Sequence, residues 1–468
     1  MQLETIIHGA TVVTGNDTRI ADIGIRDGRI VALAENLDFP AAERINATGL
    51  IAMPGGIDSH VHISQPSGPA VVMADDFDSA TRSAAFGGNT TVMPFCLPVG
   101  DQSLREAVAE YVALAEGNCH VDAAIHLIVH RTDPATLGQD LPALHAAGFT
   151  SFKVFMTYED LVLTDREILD VLEVAKSLGA AVMVHAENED AVNYLRDKAA
   201  AEGRSEPVMH ARTRPVPAER EATHRALSLA QIADVPITIV HVSNGEALDE
   251  IRRARQRGQV VHAETCPQYL TLTEDDLDQT GFEGAKFVCS PPPRDTAAQK
   301  ECWQGIELGD FDLFSSDHCP FRFADPQGKE APGARDSFRN IPNGIPGVET
   351  RLPILFSEGV MKGRITLQHF ARITATNHAR LYGLAPAKGS IAIGADADIV
   401  LWDPTVTRTI SQTGLHHGAD YTPWEGFSVT GWPVASFLRG KPLLQDGEIN
   451  SHQGRVLECG QPDQKAFV

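Results

Sequence analysis

The stretch Gly55-Gly56-Ile57-Asp58-Ser59-His60-Val61-His62 decides how the rest of the chain is read. An apolar run, Leu50-Ile51-Ala52-Met53, enters it through Pro54 and the two glycines. Residues two apart in an extended strand share a face, so His60 and His62 aim both imidazoles at one point where the strand ends. Neutral imidazole is a common metal ligand, and two converging on one spot suggest a hydrolytic Zn²⁺ site. Taken alone the pair is not specific, since a solvated strand end could carry two histidines. What decides is how many more ligand-type residues arrive at the ends of later strands.

Apolar, β-rich runs return at 89–95, 121–129, 150–156, 179–184, 236–240, 259–263 and 311–316, and with 50–57 they make eight. Helical stretches lie between them, among them 103–116, 165–178, 217–233 and 245–257. Eight such alternations predict an α/β chain built as a closed (β/α)₈ TIM barrel over 51–380. The Gly/Pro-rich stretch 324–348 is the longest loop expected and reads as a lid. The first 50 residues read as a β-meander, with Asp27-Gly28 as a hairpin turn. Similar material returns at 391–402 and 434–439, and Asp446-Gly447 repeats the turn. Neither end has enough strands to bury its own face. Both termini are therefore expected to build one β-sandwich, 1–50 with 381–449, leaving 450–468 as a C-terminal tail.

Hydrophobic content of 43% and charged content of 22% are those of an ordinary globular protein. Lys+Arg 39 against Asp+Glu 62 gives a net charge of −23 over 468 residues. Such a surface repels nucleic acid and anionic membrane, so neither is an expected partner. No apolar run reaches the ~18 residues of a membrane span. The opening Met1-Gln2-Leu3-Glu4-Thr5 lacks a basic region followed by an apolar one, so no signal peptide is expected. Seven scattered cysteines without a Cys-x-x-Cys pair read as reduced thiols of a cytoplasmic protein.

In such barrels the chemistry sits at the C-terminal ends of the strands. The first strand delivers His60 and His62 there. The fourth, Ser151-Phe152-Lys153-Val154-Phe155-Met156, carries a lysine. The fifth ends in Val184-His185, the sixth in Val240-His241 and the eighth in Ser315-Ser316-Asp317-His318. Each has a plainer reading: His185 or His241 alone as a satisfied core histidine, Asp317 alone as a helix cap. A buried lysine without a partner is costly on any reading. The plainer readings would all have to hold at one strand register, so the six residues are read together. His262 closes the seventh strand and is expected to back them, while His126, His130 and His210 gain no role from spacing.

With these residues in place, the sequence resembles the cyclic amidohydrolases, in their dihydropyrimidinase and hydantoinase branch. The likeness is carried by Gly-Gly-Ile-Asp-Ser-His-Val-His (55–62), Ser-Phe-Lys-Val-Phe-Met-Thr-Tyr (151–158) and Val-His-Ala-Glu-Asn (184–188). It continues through Cys-Ser-Pro-Pro-Pro-Arg (289–294), Ser-Asp-His-Cys-Pro-Phe (316–321), Ile-Pro-Asn-Gly (341–344) and Lys-Gly-Ser-Ile-Ala-Ile-Gly-Ala-Asp-Ala-Asp (388–398), over nearly the whole chain. The resemblance implies a binuclear-zinc hydrolase that opens the cyclic amide bond of hydantoins or dihydropyrimidines to N-carbamoyl amino acids. It implies one zinc on His60, His62 and Asp317 and another on His185 and His241. Lys153, carboxylated by CO₂, would bridge them, its carbamate supplying the anion that two divalent ions need. Asp317 would carry the proton to the leaving nitrogen. Tyr158 would donate to the oxyanion, and Ser290 and Asn343 would hold the ring's imide edge. The family is commonly tetrameric, so a homotetramer is expected.

Rival readings differ at single positions. Dihydroorotase-like enzymes carry an arginine two residues after the second histidine, where Ser64 stands here, which argues against a carboxylate-bearing substrate. Allantoinases usually show Asn there, which leaves allantoin or a cyclic imide as alternatives on the same site. Dihydropyrimidinase-related scaffold proteins lack the ligands, whereas all six positions are filled here. The loop 63–73 departs from the family's Met-Pro-Phe-Gly-Gly-Thr-like stretch. Pro66 and Pro69 should stiffen it, and Ala70, Val71, Val72 and Met73 offer an apolar wall with neither an aromatic plate nor a cation. A neutral five- or six-membered cyclic ureide or imide is the expected substrate.

Overall fold

The computed structural model describes all residues except Met1, Pro69, His452 and 466–468. Its central sheet holds eight consecutive parallel strands in spatial order: Gly56–Val61, Asn89–Cys96, His126–Ile128, Ser151–Phe155, Ala181–His185, Ile237–Ile239, Val261–Thr265 and Leu313–Phe314. A parallel bridge from Val61 to His318 joins the last strand's exit to the first strand, so the sheet curls into a barrel. The strands are buried on both faces, as a parallel sheet covered by helices requires. One cluster draws Ile57, Phe95, Ile128, Phe155, Met183 and Leu313 from six strands and fills the lumen.

The helices sit where their capping signals place them. Leu104–Ala115 starts on a Ser103/Glu106 capping box, and Asp165–Leu178 on a Thr164/Glu167 box. The second of these ends on Gly179 at φ 75°, a left-handed position that suits glycine. Val216–Ala233 and Gly245–Gln256 complete the expected set. Among the described residues no helix is long and apolar enough to cross a membrane.

A second sheet gathers strands from both ends of the chain. Leu3–Val13 pairs with Thr18–Arg26 and Ala41–Asn46, and Ile399–Thr409 pairs with Ser428–Leu438. Ile7, Ile23, Ile399, Leu401 and Phe437 share its core. The run 50–57, read from sequence as one strand, is two. Ile51–Pro54 joins the second sheet, between Leu3–Val13 and Ile399–Thr409, and only Gly56–Val61 enters the barrel. The chain crosses between sheets at Gly55, where a Cβ would stand 2.0 Å from Thr90 Oγ1. Close backbone approach is thus what the glycine permits.

The N-terminal ends of the barrel strands form a base that carries a buried charge cluster. Lys388 Nζ lies 2.7 Å from Asp122, 3.1 Å from Asp396 and 2.5 Å from Asp398, and Arg439 pairs with Asp122 at 2.5 Å. The tail crosses this base on its own chain. Leu457 N–H donates to Ala123 O at 2.7 Å, Cys459 N–H to Gly148 O at 2.9 Å and Gly460 N–H to Gly383 O at 2.8 Å. His262, expected to back the ligand set, lies here instead, bonded to Gln464 O at 2.9 Å. It sits near the start of its strand, and Glu264, two residues on and on the same face, is the residue that reaches the other end.

Candidate metal centre and its cavity

Three ligand-type side chains meet at the barrel mouth. His60 Nε2 and His62 Nε2 each lie 3.3 Å from the same oxygen of Asp317, and the donor atoms of the three fall within 4.8 Å of one another. Beside them, His185 Nδ1 and His241 Nε2 stand 3.0 Å apart. Lys153 Nζ lies 3.5 Å from His60 Nε2. All six residues expected from the strand ends therefore converge.

The partners behind these groups orient them. His60 Nδ1 bonds Glu264 at 2.7 Å, His62 Nδ1 bonds Gln65 at 2.7 Å, and His185 Nε2 bonds Glu187 at 2.7 Å. An imidazole that donates from its outer nitrogen presents a lone pair at the inner one. Burial, followed by the nearby Lys153 cation, holds His60 well below the usual histidine value. Burial and the neighbouring His185 do the same to His241. These rings are neutral and fit to bind a cation. Burial alone would raise the Asp317 carboxyl, but His60 and His62 outweigh it and keep it ionised.

Lys153 is 1% exposed and has no ion-pair partner among the described residues. It lies over the Phe95 ring at 5.1 Å and the Phe155 ring at 5.3 Å. Burial pulls its ammonium below the ordinary lysine value, to about 8, which raises the share of neutral amine near neutral pH. A neutral amine is the form that CO₂ converts to a carbamate. The donor set of His60, His62 and Asp317 fits a divalent cation, and the His185–His241 pair and Lys153 stand beside it.

The backbone bends hard to achieve this. Tyr158 (φ 73°), His241 (φ 40°) and Asp317 (φ 51°), which line the mouth, and Ser64 (φ 46°), two residues after His62, are non-glycine residues held at left-handed angles. A cavity of about 690 Å³ opens above the centre. Tyr158, Ser290 and Asn343 line it together with the ligands. Burial, only partly offset by Arg214, pushes the Tyr158 phenol up to about 12, so it remains a donor across the neutral range. The Arg214 guanidinium lies 5.3 Å from the Tyr158 ring and bonds Glu187 at 2.7 Å. Burial would raise Glu187, yet Arg214 and His185 hold its carboxyl at about 2.

The loop 63–73 contributes Gln65, Val71 and Met73 to the lining, whereas Val72 is 56% exposed and points away. Pro69 lies outside the described residues. The aromatic surface that the loop lacks comes from elsewhere, as Phe155 and Phe321, and Arg339 brings a cation already paired to Asp197 at 2.9 Å. Sequence reasoning gave no role to Glu264, Glu187, Gln65 or Arg214. For Glu187 and Glu264 the signal was available, since Glu187 follows the ligand His185 by two residues and Glu264 stands near the end of the seventh barrel strand. For Arg214, distant in sequence from every ligand, there was none.

A model of the amidohydrolase family matches residues 51–443. The D-hydantoinase of Geobacillus stearothermophilus is 44% identical over 450 residues, covering 96% of this chain and 94% of that protein. The D-phenylhydantoinase of Escherichia coli is 38% identical over 457 residues, with 97% of each chain covered. The crystal structure of a dihydropyrimidinase from Brevibacillus agri superposes with a TM-score of 0.95 at 43% identity, covering 98% of this chain and 99% of that one. Barrel, second sheet, converging ligand set and these likenesses agree, and the chain belongs to the amidohydrolase family, in its hydantoinase and dihydropyrimidinase branch, as a cyclic amidohydrolase.

Proposed function

We propose that this enzyme is a binuclear-zinc hydrolase that opens the ring of hydantoins and dihydropyrimidines to give N-carbamoyl amino acids. The observation that carries the reading is the convergence of the six ligand positions beneath a cavity of about 690 Å³. Tyr158, Ser290 and Asn343 line it, and Val71, Met73, Leu97, Phe155 and Phe321 give it an apolar side. His60, His62 and Asp317 would hold one zinc and His185 and His241 the other, with carboxylated Lys153 shared between them. Bound there, the ions supply a nucleophilic water at neutral pH and polarise the scissile carbonyl.

The protein's own residues do the rest. Asp317 accepts the proton of the attacking water and returns it to the ring nitrogen as the C–N bond breaks. Tyr158, protonated in the neutral range, donates to the oxygen on which charge develops. Ser290 and Asn343 hold the opposite imide edge and so fix the ring for attack. Half-buried Val71 and buried Met73 and Phe155 receive the ring substituent and exclude water from it. The relatives' names point to hydantoins, D-phenylhydantoin among them, ahead of allantoin or simple imides. A cytoplasmic homotetramer is the working form that the resemblance supports, and sedimentation of the purified chain tests the assembly.

The decisive experiment is turnover by metal-loaded protein of 5-phenylhydantoin, alkyl hydantoins, dihydrouracil, allantoin, succinimide and dihydroorotate, with carbamoyl products identified by mass. Ring-opened N-carbamoyl products from the first three are expected. Preference for dihydroorotate, or full activity in protein stripped of metal, would defeat the reading.

A further inference from the structure

The segment read from sequence as a lid is pinned from inside by a buried lysine. Lys329 is 0% exposed, and Phe338 and Ile341 of the same segment are buried in one apolar cluster. Its ammonium has no carboxylate partner among the described residues. It donates instead to two backbone carbonyls, Val288 O at 2.9 Å and Pro342 O at 2.7 Å. The Phe321 ring lies 5.9 Å away, and the Lys329 N–H donates to Arg322 O at 2.8 Å. Burying an ammonium against neutral partners is expensive, and Lys329 is brought down to about 7 by it. Below that value the lysine is a cation held by the two carbonyls.

The two carbonyls identify what the cation joins. Val288 stands two residues before Ser290, and Pro342 immediately precedes Asn343. Both Ser290 and Asn343 line the cavity. Gly344 N–H also donates to Val288 O, at 2.9 Å, so the two segments are already adjacent. The Pro342 carbonyl and the Asn343 N–H belong to one planar peptide unit. A carbonyl that accepts from an ammonium polarises its peptide, and the N–H at the other end becomes a stronger donor. Among the described residues the Asn343 N–H has no acceptor.

We propose that Lys329 is a positioning residue for substrate: its ammonium braces the Ser290 and Asn343 segments at a set spacing and strengthens the Asn343 N–H as a donor to the ring's imide edge. This rests on the ring-binding reading of Ser290 and Asn343. Lys329 touches neither the metal centre nor the substrate, so its effect falls on binding of the closed ring and not on bond breaking.

The test is steady-state kinetics of the metal-loaded full chain with 5-phenylhydantoin and dihydrouracil, for wild type and for Lys329→Met, Lys329→Gln and Lys329→Arg. Metal content and Tm are measured on the same samples. Lys329→Met should raise KM about tenfold, the magnitude of a hydrogen bond to a charged group, with kcat much less changed and metal content preserved. Lys329→Gln keeps a donor without charge and should fall between, and Lys329→Arg should lie nearest wild type. Unchanged KM in Met and Gln variants that fold would overturn the proposal. So would parallel loss of metal, Tm and kcat, or failure of both to fold, since each assigns Lys329 to the scaffold. A wild type inert toward both rings instead defeats the ring-opening reading itself.

Discussion

Lys153 and Lys388 are two buried lysines at opposite ends of one barrel, and their surroundings are opposite. At the base, Lys388 is ringed by Asp122, Asp396 and Asp398 within 3.1 Å, with Arg439 sharing Asp122. Burial would lower its ammonium, but Asp398 and Asp122 overcome that and hold it above the usual lysine range. At the mouth, Lys153 faces histidines and two phenylalanine rings, and burial drives its ammonium the other way. A lysine buried with its counter-ions is a fastening, here onto the short strand Asp122–Ala123 that pairs with Asn89–Cys96 at the base of the barrel. A lysine buried without them stores a cost that a structural role would not sustain. Lys329 stands between the two, satisfied by carbonyls alone.

The comparison can be broken most sharply at the mouth. Lys153→Ala should lose most bound metal, and activity should fall to near background. Short-chain carboxylic acids should restore part of it by standing in for the carbamate, as read by elemental analysis and turnover together. Asp317→Asn comes next, with kcat reduced by about 10²–10⁴ and KM little altered. Near-normal kcat with intact metal would assign the proton transfer elsewhere.

At the base, Lys388→Met should leave kcat per folded molecule unchanged and lower stability by about 3–5 kcal/mol, because Asp396 and Asp398 lose their nearest cation and Asp122 keeps only Arg439. The sign of its pH dependence follows from the raised ammonium. The folded value lies above the ordinary 10.5, so the contribution is complete below 10.5 and fades only as pH rises beyond it. Denaturant melts of wild type and variant should therefore differ by a constant amount from neutral pH to about 10.5. A gap that closes between pH 7 and 9 would break the assignment. The smallest effect is expected from Val71→Ala with Met73→Ala: loss of apolar wall should cut kcat/KM for aryl and alkyl hydantoins by about tenfold. Dihydrouracil should be spared. An unchanged ranking across the panel would remove the loop from specificity.

The mouth was more legible in sequence than the base. Ligands at a strand end obey the two-residue period and recur at each barrel strand, so His60, His62, His185, His241 and Asp317 announce themselves one strand at a time. The base cluster joins Asp122 to Lys388 and Arg439 across more than half the chain, and no local pattern marks such a pairing. The split of 50–57 was hidden for a related reason. Both halves are β-prone, and only the Thr90 side chain pressed against Gly55 shows where one sheet ends and the other begins.

Local chemistry thus determined the barrel, the sandwich from both termini and the residue types at the mouth, because strand period, capping boxes and Asp-Gly turns are short-range. The tertiary structure alone decided which nitrogen of His60, His62 and His185 faces the centre, through Glu264, Gln65 and Glu187. It alone placed Arg214 against Tyr158, turned Val72 outward and Met73 inward, laid the tail across its own barrel and ran Lys329 between two carbonyls. These depend on which distant side chains share a buried space, and burial sets the strength of every charge and hydrogen bond within it.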